Sequence, residues 1–174
     1  LEFLEPDPAV HVLLFENEDR IKFQDPLLEI TQGRGDMRGI RANLWRWGGF
    51  ANLVQGKIRA NGKADAGNDV YALRAGRNFF AKNRLTIAGT ANGKVWSTGK
   101  NEVAGMDVTF RFGDAELTAA GATSHTTAVS KGDNTTFAAD LRNLRVSSRR
   151  LGSLQLTTQF RNWGENYENY LGKN

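Results

Sequence analysis

The chain has 174 residues, of which 40% are hydrophobic and 24% charged, with no cysteine and a formal net charge of +4. A chain of this length predicts one domain that buries a core without disulfide bonds. The longest apolar run, 12–15, is far shorter than the about 20 residues that a helix needs to cross a bilayer. Composition therefore excludes a helical membrane bundle, a disulfide scaffold and a disordered chain.

Charge is distributed unevenly along the chain. Residues 1–33 carry a net charge of −6, residues 34–112 carry +9, and the remainder carries +1. This asymmetry predicts either an anionic partner for the middle of the chain or an acidic segment that folds back over it. The basic residues are spread out, which is also typical of a solvated surface. Because the chain begins with Leu1, we expect a processed or excised product, from which any signal peptide or membrane anchor would have been removed.

The first predicted elements lie in the acidic segment. The apolar run 10–15 and the alternating stretch 20–24 are joined by the polar residues 16–19, a pattern that predicts a hairpin. Pro26 restricts the next segment, 27–31, to an edge strand or the start of a new strand.

A weak internal repeat follows, and each copy has a strand pattern, a short turn and a second strand. Because a single such unit cannot bury its apolar face, the copies must stack. The sequence therefore predicts an all-β fold, a curved and elongated antiparallel sheet of repeated hairpins, open or folded into a groove. The paired strands are 39–44 with 53–56, 71–76 with 85–89, 105–110 with 117–121 and 137–141 with 154–158, and the turns are Gly48-Gly49, Lys82-Asn83, Gly113-Asp114 and Arg149-Arg150.

The end of the chain has a different pattern. Trp163, Tyr167, Tyr170 and Leu171 follow helical spacing, which predicts a short helix over 162–172. We expect a single β domain over 1–174, with an acidic hairpin segment at 1–33 and repeated hairpins over 34–161.

Catalytic chemistry has little support in the sequence. The chain has two histidines and no cysteine, so a thiol nucleophile or a Cys/His zinc site is not available. Ser124 and His125 are adjacent, and neighbouring residues of a strand point to opposite faces, so they make a poor nucleophile and base. We therefore expect that the protein is not an enzyme and that it has no cofactor, no metal site and no catalytic residue.

Aromatic and arginine side chains are interleaved through the basic middle of the chain. This combination is typical of nucleic-acid binding, where aromatics stack on bases. It is also typical of a lipid site, where apolar residues take acyl chains and arginines hold phosphorylated headgroups. Aromatic residues are usual core residues as well, with arginines covering them. The residues are Trp45, Trp47, Phe50, Phe79, Phe80 and Trp96 with Arg38, Arg41, Arg46, Arg74, Arg77 and Arg84.

Three short segments carry a family resemblance: FQDPLLEI at 23–30, MRGIRA at 37–42 and LVQGKI at 53–58. Over roughly residues 20–125 the chain resembles the periplasmic lipopolysaccharide-transport proteins of the LptA, LptC and OstA type. Residues 135–171 look closer to AsmA, TamB or YdgA-like envelope proteins. Both resemblances imply an elongated β-sheet in the envelope of a double-membraned bacterium. The first also implies a hydrophobic groove that passes lipid to the next protein through edge-strand pairing.

The sequence thus predicts a non-enzymatic protein of the periplasm or cell envelope that binds or conveys an anionic, lipopolysaccharide-like lipid along a hydrophobic groove. The alternatives are a β-barrel module for nucleic acid or carbohydrate and a small outer-membrane β-barrel. A mean hydropathy of −0.49 and the lack of a sustained apolar band in the sequence count against the latter, and nucleic acid is not an expected partner. The predicted apolar lining is Ile40, Leu44, Leu73, Ile87, Met106, Val108 and Phe110, and the predicted headgroup ligands are Arg41 and Arg74.

Overall fold

The fold is a single antiparallel β-sheet. The computed structural model describes residues 2–4, 10–18, 36–60, 63–127, 135–148, 152–165 and 167. These residues form ten strands, each hydrogen-bonded to its neighbours in chain order. The strands are β1 (Glu2–Leu4), β2 (Val10–Glu18), β3 (Asp36–Arg46), β4 (Gly49–Ala60), β5 (Lys63–Phe79), β6 (Leu85–Trp96), β7 (Gly99–Phe112), β8 (Ala115–Thr126), β9 (Thr135–Ser148) and β10 (Gly152–Trp163).

The predicted all-β architecture of repeated hairpins is confirmed. The four predicted strand pairs correspond to β3–β4, β5–β6, β7–β8 and β9–β10, which are paired antiparallel over most of their lengths. The sheet is open and does not curl into a closed form. Of the open and folded arrangements that the sequence allowed, the open one is observed.

Three of the predicted turns contain left-handed backbone conformations, and the first of them lies one residue earlier than predicted. Lys82 and Asn83 have φ values of 59° and 52°. Trp47 and Gly48 connect β3 to β4 with φ values of 49° and 75°. Two consecutive positive φ values are typical of the tight turn whose twist matches that of the flanking strands. Gly113 has a φ of 61° in the connection between β7 and β8. These short connections fix the strand register at one end of the sheet.

The prediction of a turn at residues 16–19 in the N-terminal hairpin is wrong. Residues 16–18 continue β2 instead of turning, and Glu18 pairs with Met37 of β3. The neighbouring strand supplies hydrogen-bond partners to this polar backbone, so its composition does not end the strand. On its other side β2 pairs with β1. The predicted second strand at 20–24 and the edge strand at 27–31 lie outside the described residues.

The predicted C-terminal helix over 162–172 is not confirmed. Residues 162 and 163 belong to β10, and residues 166 and 168–172 lie outside the described part. The Trp163 and Tyr167 rings do meet, with centroids 5.5 Å apart, but the Gly164 N–H donates to the Thr135 carbonyl at the edge of the strand pair. The spacing of Trp163 and Tyr167, which predicts a helix, therefore corresponds to a contact between their rings. Among the described residues the helical structure is a single 3₁₀ turn, Ala81–Asn83.

The sheet has one polar face, on which most buried residues lie. Its apolar members form small clusters, such as Met37 with Val54 and Val70, or Ala120 with Ala138. Tyr167 packs on the Val103–Ala122 cluster of the same face. The buried polar residues of this face are Asn43, Arg74, Thr90, Asn92, Asn101, Asp107, Thr109, Thr118, Ser124, Thr126, Thr136 and Asp140.

The opposite, apolar face carries the large hydrophobic side chains, and these are exposed. Strand alternation places them there, because each follows or precedes a residue of the polar face. The apolar face comprises Leu14, Ile40, Leu44, Leu53, Leu73, Ile87, Met106, Val108, Phe110, Phe112, Leu117, Phe137, Leu154, Leu156 and Phe160.

Tyr71 stabilises the margin of the apolar face, where its ring lies over Gly93 of the neighbouring strand. It is directly opposite Gly93 of β6, and its hydroxyl donates to Glu102 Oε1 of β7 at 2.8 Å. Burial, the hydrogen bond to Glu102 and the charge of Glu102 raise the pKa of Tyr71 to about 12. Hydrogen bonds from Lys100 and Tyr71 lower the pKa of Glu102. Because the pKa of Tyr71 is raised by folding, its stabilising contribution is complete below pH 10 and is lost as pH rises towards 12.

We expect Gly93→Ala to destabilise the sheet by about 1–3 kcal/mol, because its methyl group would collide with the Tyr71 ring. Gly89→Ala is the matched control on the same strand and face, since the nearest atom to its added methyl, the Gly105 carbonyl oxygen, is 3.8 Å away. Urea unfolding measures both variants. In an absorbance titration Gly93→Ala should also lose the tyrosine that ionises near pH 12. Equal stability of the two variants would contradict this account.

Candidate functional site

The structure separates the predicted site residues into two groups. Ile40, Leu44, Leu73, Ile87, Met106, Val108 and Phe110 all lie on the apolar face and are exposed. Arg41 and Arg74 lie on the polar face. The split follows from strand alternation, because Arg41 is next to Ile40 and Arg74 is next to Leu73. The apolar residues therefore share one surface, and the two arginines do not border it. A ligand-binding role for these residues stays a prediction.

The apolar face is a continuous band across the sheet. Cross-strand pairing forms one row that runs from Leu44 through small residues to Met106, Gly121 and Phe137. A second row runs through Ile87, Val108, Ala119, Ala139 and Phe160. Polar residues continue the rows at the sides of the sheet, with Asn162 opposite Phe137 and Arg77 opposite Ile87.

Polar and aromatic groups border the band at both ends of the strands. At one end, Lys57 Nζ is 3.5 Å from Asp69 Oδ1, near the Tyr71–Glu102 hydrogen bond. At the other end, the Trp47 and Phe80 side chains are 80% and 73% exposed. The guanidinium of Arg46 lies 4.1 Å from the Trp47 ring centroid. Exposed tryptophan beside arginine is typical of the boundary between an apolar phase and water.

The strands are long for a globular protein. β3, β4 and β6–β10 contain 11–14 residues each, about twice the usual length of 5–6 residues. A strand crosses the hydrocarbon of a bilayer with about 9–11 residues. On β7 the apolar face extends from Ala104 to Phe112, a distance of about 27 Å along the strand at a rise of about 3.4 Å per residue.

On the polar face, Arg74 and Asp107 form a buried ion pair across β6. Arg74 Nη1 and Nη2 donate to the two carboxylate oxygens of Asp107 at 2.5 and 2.9 Å, and Nη1 also donates to Thr90 Oγ1 at 2.8 Å. Both side chains are at most 4% exposed. This two-point geometry compensates the desolvation of both charges.

A second polar cluster surrounds Asp140 of β9. Asp140 Oδ2 accepts from Arg142 Nη2 at 2.8 Å and from Gln159 Nε2 at 3.3 Å, and it lies 3.8 Å from Arg161 Nη2. Between the two clusters, Thr109 and Thr118 are hydrogen-bonded at 3.3 Å. Cross-strand polar contacts therefore continue from β5 to β10.

A cavity of about 630 Å³ opens on the polar face. Of the predicted ligand-binding residues, Arg41 and Arg74 line it, together with Trp45 and Phe50 of the interleaved aromatic set. The asparagines of the cavity are not among the residues predicted from the sequence, although the alternating polar pattern Arg41-x-Asn43 on β3 indicates a shared face. The cavity is lined by His11, Leu13, Arg41, Asn43, Trp45, Phe50, Asn52, Arg74, Asn78, Thr86, Thr109, Arg111 and Glu116.

Within the described part of the chain, no group of three or more His, Cys, Asp or Glu side chains is placed to hold a metal ion. None of the helical structure in that part is long and apolar enough to cross a membrane.

No protein-family model, curated protein or solved structure matches the chain significantly. The resemblance to lipopolysaccharide-transport proteins therefore remains an expectation from the three sequence segments.

We expect Asp107→Asn to lower the free energy of unfolding by about 3–5 kcal/mol, because it leaves the charge of Arg74 buried without a counter-charge. Asp114→Asn is the control: this carboxylate is 78% exposed and 3.9 Å from Arg145, so the change should stay within about 0.5 kcal/mol. Urea unfolding followed by circular dichroism measures both. A loss of similar size in the two variants would show that the buried pair has no special role.

Proposed function

We propose that this chain is a non-enzymatic β-sheet protein of the cell envelope that is embedded in a lipid bilayer. Its apolar face contacts acyl chains, and its polar face is directed towards a hydrated interior. The observation that supports this proposal is the inversion of the sheet, with large hydrophobic residues exposed on one face and charged or hydroxyl residues buried on the other.

In water this arrangement is unfavourable. Exposed apolar patches of more than a few hundred Å² are rare on soluble monomers and mark contact with a partner or a membrane. A soluble sheet would instead place residues such as Leu73, Met106 and Phe110 in its core. In hydrocarbon the same surface carries no such cost, and alternating apolar and polar faces are the usual pattern of strands that cross membranes.

The dimensions and borders of the band support the same proposal. For a strand tilted by about 40°, the 27 Å from Ala104 to Phe112 corresponds to about 20 Å across the bilayer, close to the about 25 Å band of membrane strands. Exposed Trp47 and Phe80 would lie at the level of the headgroups. The negative mean hydropathy does not count against this assignment, because averaging along an alternating strand cancels its two faces.

A sheet in hydrocarbon needs partners for its outer backbone groups. The described part of β1 and β10 pairs on one side only, and unpaired backbone groups cost several kcal/mol each in a membrane interior. We therefore expect both edges to pair with further strands in the membrane. We expect the predicted edge-strand contacts with other envelope proteins to be these strand pairings in the membrane.

A second candidate is a carrier that holds one amphipathic lipid. A surface depression of about 530 Å³ is lined by Leu14, Phe15 and Ile40 together with Arg38 and Lys57. Apolar residues beside cations match an acyl chain with an anionic headgroup. A lipid at this site would leave the rest of the apolar face, from β5 to β10, exposed to water. Bilayer insertion covers this larger area of apolar surface as well.

We expect a spin label on the apolar face to report lipid and one on the polar face to report water. The chain has no cysteine, so single-cysteine variants need no other change. The labelled protein is reconstituted in vesicles. Spin labels on Leu73→Cys and Met106→Cys should be relaxed mainly by oxygen. Labels on Asn52→Cys and Asn78→Cys should be relaxed mainly by a water-soluble nickel complex.

Bilayer insertion would be overturned if the nickel complex relaxed the labels at Leu73 and Met106 as strongly as those at Asn52 and Asn78. An alkaline carbonate wash separates the two candidates, because it releases a peripheral lipid carrier and leaves an inserted sheet in the membrane fraction.

We expect Val108→Arg to reduce the stability of the sheet in vesicles by about 2–4 kcal/mol, because it places a charge at the middle of the apolar band. Gln55→Arg introduces the same charge on the same face near Tyr71, at the border of the band. It should cost about 0–1 kcal/mol. Urea unfolding from vesicles, followed by tryptophan fluorescence, measures both variants, and equal costs would contradict a membrane-depth effect.

A further inference from the structure

We propose that the cavity on the polar face is a binding site for a sugar-sized organic anion that carries a phosphate or carboxylate group. The cavity volume of about 630 Å³ falls in the range of about 300–1,000 Å³ that is usual for small-molecule sites. This inference does not depend on bilayer insertion, since the cavity lies on the opposite face of the sheet.

The cavity contains a cation that no described carboxylate neutralises. Three guanidinium groups line it. Arg74 is paired with Asp107, and Arg111 Nε donates to Glu116 Oε2 at 2.7 Å. The hydrogen bond that Arg41 makes with the described residues is from Nε to Asn43 Oδ1, at 3.4 Å. The planar fork of Arg41 therefore remains available for two-point binding of a phosphate or carboxylate.

Arg74 offers a further donor. Its terminal nitrogens are occupied by Asp107 and Thr90, whereas its buried Nε has no hydrogen-bond partner. A buried N–H without an acceptor costs free energy. A ligand oxygen in the cavity that Arg74 lines would remove this cost.

Amide side chains form a row beside these cations. Asn43 is directly opposite Asn52 across β3 and β4, and Asn52 is directly opposite Arg74 across β4 and β5. An amide supplies both donors and an acceptor, which suits the hydroxyl groups of a sugar. Trp45 adds an aromatic surface that is 47% exposed at the cavity. The combination indicates a hydroxylated ring with one anionic substituent.

Isothermal titration tests the site with purified full-length chain in lauryldimethylamine oxide, a detergent without sugar or phosphate, in a phosphate-free buffer. Glucose 6-phosphate is the probe, and glucose is its uncharged match. We expect glucose 6-phosphate to bind at least about tenfold more tightly, the effect of one charge-assisted hydrogen bond. Equal affinities, or no measurable binding of glucose 6-phosphate, would overturn the proposal without recourse to any variant.

Arg41→Gln should reduce this preference to within about twofold, since it removes the free cation. Arg38→Gln is the matched control: it lies on the same strand and removes the same charge, but from the opposite face. It should leave the preference unchanged, and an equal loss in the two variants would show that the preference arises from net charge and not from the cavity.

The anion could belong to a free solute or to a lipid headgroup, and competition distinguishes these sources. Mixed micelles with phosphatidylglycerol, but not with phosphatidylcholine, should displace glucose 6-phosphate if headgroups enter the cavity. Displacement by neither lipid assigns the site to a free solute. Displacement by both lipids to the same extent would overturn recognition of an anion.

Discussion

Successive side chains of an extended strand point to opposite faces, and the arrangement of this protein depends on that constraint. On β3 and β5 it places Ile40 and Leu73 on one face and Arg41 and Arg74 on the other. Paired residues of neighbouring strands lie on the same face, so the same division continues across the sheet despite three local register shifts. The chain thereby has two surfaces of opposite chemistry without a second layer of secondary structure. This difference in chemistry is the observation that supports the proposed position of the sheet between lipid and water.

The charges of the polar face can be buried because they are paired with opposite charges. The Arg74–Asp107 pair is held at two points and by Thr90, and Asp140 is surrounded by donors from β9 and β10. Small residues such as Ala120 and Ala138 fill the space between these clusters. Removal of one partner from such a pair is destabilising, because a lone buried charge is costly. The polar face therefore limits sequence change at least as strongly as an apolar core would.

Local signals in the sequence predicted the hairpins well. Turn residues such as Gly113-Asp114 act within a few positions, and the structure has a tight connection there. The sequence did not predict the phase of the alternation, because a single strand such as 107–112 does not indicate which of its faces will be buried. The arginines were therefore assigned to the same surface as their apolar neighbours. Cross-strand register, which decides that Asn43, Asn52 and Arg74 form a row, depends on the whole sheet.

Strand pairing explains why β2 and β10 extend into segments that the sequence assigned differently. Glu18 remains in β2 because Met37 of the next strand pairs with it, and Trp163 remains in β10 because it pairs with Thr136. In both places an interaction with a residue distant in sequence overrides a local preference, as is usual for strands.

Pairing of each strand with its successor also has a kinetic consequence. Every closure from β3 to β8 joins segments separated by a few residues, so the entropy lost in each step is small. The sheet can therefore grow by adding one strand at a time to a formed hairpin, each within about the 1–10 μs scale of hairpin formation. The longest interval between consecutive strands is the one between β2 and β3, which are separated by residues 19–35. Because the chain entropy lost on pairing grows with the number of residues between two strands, the pairing of β2 with β3 has the largest entropic cost.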